Sequence, residues 1–294
     1  MSEAERLERL ARELEASGEY VVLRRIPPFT ARPVPPDARV STALFLDVET
    51  TGLNSDNDEV IELAMVPFRY CQQSGVIFEV LEPYSELRDP GRHIPRAITE
   101  ITGITSDMVR GKQLDLQRVR AMVESADLII AHNAGFDRPF AERLDPVFSS
   151  KPWACSVSDI NWRAKGVSGS KLEYLTSAFG YHYQAHRALD DCMAAITLLD
   201  QTIEKLQATV LSRLLERARQ TVWRFQAVGA PFEAKDQLKL RRYRWNAGER
   251  FWWRDVPDSQ KQAELDWLAA NVYPAGQEPR LQAITARERY SRRV

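Results

Sequence analysis

The feature that most constrains this chain is a short apolar run, Ala43-Leu44-Phe45-Leu46, which ends abruptly in Asp47-Val48-Glu49-Thr50-Thr51-Gly52. A run that short, closed by Thr-Thr-Gly, predicts a buried strand ending in a turn. Residues two apart on a strand point to the same face, so Asp47 and Glu49 project together. Two carboxylates side by side at the end of a buried strand repel and lose hydration unless a cation joins them. Hard oxygen ligands of this kind select Mg²⁺ or Mn²⁺. On this motif alone, a turn-capping Asp47 beside a solvated Glu49 explains the pattern equally well.

More acids follow in order. The apolar run Leu128-Ile129-Ile130-Ala131 leads into His132-Asn133-Ala134-Gly135-Phe136-Asp137, a strand, a turn and the first turn of a helix reaching Leu144. Farther on, His186-Arg187-Ala188-Leu189-Asp190-Asp191 opens a segment in which Leu189, Met193, Ile196 and Leu199 fall on one helical face. His186 and Asp191 then both lie near that helix's start. Asp47, Glu49, Asp137 and Asp191 are thus offered by the ends of separate elements, the usual way an α/β active site is assembled. Asp190, one step from Asp191, is expected to face solvent or cap the helix.

On these residues the chain resembles the DnaQ-like 3′→5′ exonucleases of the DEDDh type, a group that includes the proofreading epsilon subunit of bacterial DNA polymerase III and ribonuclease T. The resemblance runs from about Ser41 to Leu206. Asp47 and Glu49 in D-V-E-T-T-G match the first motif, Asp137 in H-N-A-G-F-D the second, and His186 with Asp191 in H-R-A-L-D-D the third. Ile94-Pro95 through Ile101-Thr102-Gly103-Ile104-Thr105 is similar to the connecting region, with Thr102 where many relatives carry His. The resemblance implies a ribonuclease H-like α/β fold, a mixed sheet flanked by helices. It also implies a two-metal hydrolysis of phosphodiesters, with two divalent cations, Mg²⁺ or Mn²⁺, roughly 3.5–4 Å apart. Asp47, Glu49 and Asp191 would hold one ion and Asp47 with Asp137 the second, while His186 would take the proton from the attacking water. Thr50, Thr51, Gly52 and Leu53 would hold the 3′-terminal nucleotide, with Gly52 permitting close backbone approach. Leu53 would wedge against the terminal bases and Phe136 pack on sugar or base. Either could instead belong to the core. Asn133 is a candidate for the same site, or for satisfying backbone groups in its turn.

The 294 residues exceed the usual single domain. Residues 1–40 read as a helix over Ser2 to Ala16, a short strand at Tyr20-Val21-Val22-Leu23, and a proline-rich linker. Residues 41–206 form the nuclease region, beginning with strands Ala43–Glu49, Val60–Tyr70 and Val76–Pro83 in an antiparallel series. A long helix from about Arg187 towards Ala218 is expected to close it, residues 207–220 forming a connecting helix. Residues 221–294 form a small α+β domain, with strands at Trp223–Val228 and Glu249–Val256 and helices at Ala234–Arg242 and Ser259–Val272. Between Lys235 and Arg254, seven basic residues stand against two acidic ones, interleaved with Tyr243, Trp245, Phe251, Trp252 and Trp253. Such a mixture suits a single-strand surface, or the aromatic core a small domain needs.

Overall charge, 40 basic against 41 acidic side chains, announces no polyanionic partner. Cys71, Cys155 and Cys192 form no metal-ligand spacing and fit a reducing cytosol. No apolar stretch approaches membrane length and no signal segment is visible, so a cytoplasmic protein without membrane association is expected. The expected partner is nucleic acid with a free 3′ end, single-stranded DNA by preference, with a DNA polymerase as a candidate associate. An exoribonuclease and a non-catalytic polymerase-associated module are the alternatives, and the complete acidic set with His186 argues against the second.

Overall fold

The structure, a computed structural model, describes residues 2–163, 166–203, 207–273 and 276–293. The chain divides into two compact units, Met1–Leu215 and Glu216–Val294.

The first unit opens with α1 (Glu3–Ala16), whose Ser2 and Glu5 form a reciprocal capping box. No α1 residue is buried. The expected strand at Tyr20–Leu23 is absent; instead β1 (Arg24–Arg25) pairs in parallel with a later two-residue strand. Tyr20 and Val21 stay exposed, so no sheet face rewards their β-propensity. Next come β2 (Val40–Thr50), β3 (Val60–Cys71), β4 (Ile77–Val80) and β5 (Tyr84–Leu87). Three helices follow, α2 (Arg96–Thr102), α3 (Ser106–Val109) and α4 (Leu116–Ser125). The chain continues through β6 (Leu128–Ala131), α5 (Ala134–Leu144), β7 (Trp153–Cys155), α6 (Leu172–Ala178), β8 (Tyr181–His182) and α7 (Ala188–Asp200).

The six-stranded sheet has the order β4-β3-β2-β6-β7, with β5 also paired to β3. β2 runs antiparallel to β3 and parallel to β6, and β6 parallel to β7. This is a mixed ribonuclease H-like sheet. Burial along β3 is nearly continuous, as expected of a strand covered on both faces. Helix α7 packs on β2 and β3, and α5 on β2, β6 and β7.

The long helix expected from Arg187 towards Ala218 is broken. At Gln201 the backbone turns extended, and β9 (Thr202–Ile203) pairs with β10 (Ala208–Thr209) before α8 (Val210–Arg219) begins. The break falls where β-branched Thr202 and Ile203 disfavour helix. Leu206, the expected end of the nuclease region, lies outside the described residues.

The second unit contains β11 (Val222–Ala227), α9 (Lys235–Leu240), β12 (Arg244–Asn246), β13 (Phe251–Pro257), α10 (Lys261–Asn271) and β14 (Arg280–Ile284). Its sheet order is β12-β13-β11-β14, antiparallel throughout. Strands β12 and β14 carry no alternation long enough to announce them. The core gathers Phe225, Leu238, Tyr243, Val256, Leu268 and Tyr273. Buried Glu264 accepts from Tyr243 Oη at 2.9 Å and pairs with Arg241 and Arg254. No described helix in either unit is long and apolar enough to cross a membrane.

Candidate active site

The sheet register builds the site. Asp47 lies opposite Ala64 and Glu49 opposite Glu62 on the β2–β3 ladder, and a register shift after Glu49 ends regular pairing. One carboxylate oxygen from each of Asp47, Glu49 and Asp191 lies within 4.8 Å of the others. Asp191 enters from the first turn of α7. Asp137 comes from the first turn of α5 and stands outside that close trio. It is 1% exposed, and its Oδ1 accepts from the Val48 amide at 3.3 Å, between the two strand acids.

Asp191 is held on both oxygens. Tyr183 Oη donates to Oδ1 at 2.7 Å and the His186 amide to Oδ2 at 3.0 Å. To reach that position His186 adopts φ +67°, uncommon outside glycine. Its side chain is exposed and stands outside the trio.

Sequence reasoning missed Glu62, Arg187 and Tyr183. Glu62 is 2% exposed, accepts from the Ala188 amide at 3.3 Å, and pairs with Arg187 at 3.2 Å. It therefore seats the N-terminus of α7 against β3, and with it Asp191. The signal for Glu62 was available, as an acid inside the apolar run Val60–Val66. Tyr183 left no such signal, because its role depends on tertiary placement.

The cluster's electrostatics have one direction. Burial, then the charges of Asp137, Asp191, Glu49 and Glu62, raise Asp47 well above the usual carboxylate range. Burial, with Asp191 and Glu62, pushes Glu49 up to about 7, opposed by Arg187. Burial also raises Asp137, against the Val48 amide, and raises Asp191, against the Tyr183 hydroxyl. Among the described residues, five carboxylates thus gather here with Arg187 ion-paired to one of them, Glu62, a charge balance that favours a bound cation.

The residues fit divalent ions. All donors are hard oxygens, and Asp137 Oδ2 is buried with no hydrogen-bond partner among the described residues. An orphaned buried carboxylate oxygen is costly unless a ligand completes it.

Around the cluster, the turn is tightly organised. Thr51 is 3% exposed, and its hydroxyl is committed to Asp58, the Glu59 amide and Arg92. Thr50 is also buried and donates to the Gly52 carbonyl at 2.6 Å. A Cβ on Gly52 would sit 2.5 Å from Asp58 Oδ2, so only glycine fits the turn as it stands. Leu53 is 85% exposed and is no core residue. Phe136 is half-buried against Phe140, ring centroids 5.0 Å apart. Asn133 takes φ +81° at the start of α5 and makes no side-chain cap bond. His132 bridges Ser156 Oγ and the Ser170 carbonyl at 2.7 and 2.8 Å, and burial pushes it down to about 4. It ties loops together as a neutral ring. Asp190 is exposed.

Fold and site together define a nuclease class, in which a mixed sheet delivers converging carboxylates to one open edge. A family profile described as "Exonuclease" (RNase_T) matches residues 44–199. The chain belongs to that exonuclease family. It is 31% identical over 165 residues to the DNA polymerase III subunit epsilon of Treponema pallidum, covering 52% of this chain and 74% of that protein. It is 30% identical over 183 residues to the DNA polymerase III PolC-type of Thermotoga petrophila, covering 60% of this chain. The chain spans only 13% of that polymerase's length. Among solved structures it is similar to exonuclease X in complex with 5′-overhanging duplex DNA, at 24% identity and TM-score 0.45, covering 60% of this chain and 98% of that one. It is also similar to E. coli exonuclease I in complex with a dA16 oligonucleotide, at 21% identity and TM-score 0.46, covering 64% and 48%.

Proposed function

We propose that the chain is a metal-dependent 3′→5′ exonuclease that releases nucleoside 5′-monophosphates from DNA ends, in proofreading or repair. The observation that carries this reading is the convergence of Asp47, Glu49 and Asp191 beside an Asp137 oxygen that is buried without a partner. Asp47, Glu49 and Asp191 would hold one divalent ion, and Asp47 with Asp137 a second, Mg²⁺ or Mn²⁺. When bound, such a pair neutralises the phosphodiester and makes the attacking water more acidic.

The chain's own groups do the rest. His186, exposed beside Asp191, accepts the water's proton as general base. Tyr183 and the His186 amide fix the Asp191 carboxylate, removing its rotational freedom before substrate arrives. Leu53 and Phe136 offer apolar surface to the terminal base and sugar, while Thr50 and Thr51 shape the turn that presents Gly52. DNA is favoured because the relatives are named as DNA polymerase III components, and a polymerase is the corresponding candidate partner.

The test offers the purified chain 5′-labelled single-stranded DNA, duplex DNA and RNA, with Mg²⁺, Mn²⁺ or EDTA. A ladder shortening from the 3′ end, faster on DNA and absent in EDTA, is expected. Shortening from the 5′ end, or digestion that persists in EDTA, would refute the reading. Faster digestion of RNA would transfer it to an exoribonuclease.

A further inference from the structure

The second unit carries a pocket of about 480 Å³ lined by Ala230, Pro231, Phe232, Lys235, Lys239, Trp245 and Trp252. Two of its rings, Phe232 and Trp245, lie outside the core cluster. The core is closed by Phe225, Leu238, Tyr243, Val256, Leu268 and Tyr273, while Phe232 is 80% and Trp245 49% exposed. Trp252 is half-buried and forms the floor on which Trp245 leans, ring centroids 5.4 Å apart. Exposing two large aromatics in one pocket of a small unit points to a ligand.

The charges around the pocket select that ligand. Of the basic residues interleaved with aromatics in the sequence, Arg241 and Arg254 are engaged by Glu264, and Arg244 lies over Trp253 at 5.3 Å. Lys235 and Lys239 remain at the pocket. Lys235 Nζ lies 5.3 Å from the Phe232 ring, and neither lysine has a carboxylate partner among the described residues. Two free ammonium groups on the rim exclude a cationic guest, which an aromatic cage alone would welcome. They favour a molecule that joins flat rings to anions at short, regular spacing. The volume suits such a guest.

We propose that this pocket is a second binding site for single-stranded nucleic acid, in which bases stack on Phe232 and Trp245 while Lys235 and Lys239 pair with the flanking phosphates. It rests on the reading above only for the class of ligand and involves none of the proposed catalytic residues. Stacking and phosphate pairing of this kind tolerate any sequence, as an enzyme consuming a strand one nucleotide at a time requires.

The test measures binding of a fluorescent oligothymidylate to the full chain in EDTA, so that hydrolysis cannot intervene. Phe232→Ala and Trp245→Ala should each weaken binding about tenfold or more, and Trp245→Phe should restore most of it. Lys235→Gln with Lys239→Gln should lower the slope of log affinity against log salt by about 1.4. Hydrolysis of the p-nitrophenyl ester of thymidine 5′-monophosphate, which carries no flanking strand, should be unchanged in all four. Loss of that hydrolysis in the wild type would refute the catalytic reading and leave this one standing. Unchanged oligothymidylate binding in the Phe232 and Trp245 variants would overturn the proposal and give the pocket to another ligand, such as an acidic aromatic peptide. Equal affinity for free thymidine monophosphate and the oligomer would overturn the assignment to a strand.

Discussion

Replacing Glu49 with glutamine should stabilise the metal-free protein above neutral pH while destroying its activity. The folded state holds the Glu49 carboxyl at about 7 against an ordinary 4.5, chiefly because burial penalises the charged form and Asp191 and Glu62 repel it. A carboxyl raised in this way binds its proton more tightly folded than unfolded. Its contribution to stability is therefore fully present below about pH 4.5 and is lost as pH rises through about 7. At 1.36 kcal/mol for each tenfold difference in proton affinity, the loss from Glu49 alone is about 3 kcal/mol. Asp47, Asp137 and Asp191 are displaced in the same direction and steepen the fall. For a unit of this size, about 3 kcal/mol corresponds to roughly 6–12 °C in Tm. Melts in EDTA near pH 5 and near pH 8 would read it. Glu49→Gln should melt higher than the wild type near pH 8 and close to it near pH 5. Saturating Mg²⁺ or Mn²⁺ should then raise the wild type more than the variant, because ion binding to the folded state adds stability by mass action. A variant that melts with or below the wild type near pH 8 in EDTA would refute the electrostatic account of the cluster.

Asp137→Asn should abolish hydrolysis with unchanged circular dichroism, since it keeps a group for the Val48 amide but removes the charge. His186→Ala should slow hydrolysis by about 10²–10⁴-fold, with ion uptake intact by calorimetry, because the backbone amide still holds Asp191. Tyr183→Phe should leave the fold unchanged and weaken ion binding, read as a higher Mn²⁺ concentration for half-maximal rate. In the second unit, Glu264→Ala should cost about 3–5 kcal/mol, seen as an early denaturant transition that spares the nuclease activity, because it strands Arg241 and Arg254 beside a buried Tyr243.

What was legible in the sequence was what strands and helices announce locally. Apolar runs ending in turns located β2 and β6, and helical spacing located α7, so Asp47, Glu49, Asp137 and Asp191 could be named before their distances were known. The middle of the long helix was misread because apolar spacing continues past Gln201, while the extended conformation of Thr202–Ile203 depends on pairing with Ala208–Thr209. Strand β12 was invisible for a related reason. Its three residues become a strand only through their ladder to Phe251–Trp253. The interleaved cations and rings of the second unit read as one surface in sequence. In the fold they separate into a buried Glu264 network, an Arg244–Trp253 stack and the Phe232–Trp245 pocket, a sorting that the 2.0 and 3.6 periodicities do not encode over so few residues.

The least legible link is the one that runs from the N-terminal extension to Asp191. Arg24 sits between Glu8 and Glu15 of α1, hydrogen-bonded to both. Its amide takes the Gly180 carbonyl at 2.8 Å, opening the parallel pairing of β1 with β8. One residue beyond β8, Tyr183 donates to Asp191. Two paired residues do not make a stable strand by themselves, and each exposed ion pair contributes little. Their convergence on a single guanidinium nevertheless fixes the segment from which Tyr183 and His186 project. From the opposite side Glu62 fixes Ala188, so the five-residue span between β8 and α7 holds its left-handed His186 under restraint at both ends. An acid whose charge is opposed by burial and set against the nearby Asp47 and Glu49 carboxylates needs such restraint, because without it the cheapest response to repulsion is for Asp191 to swing into solvent.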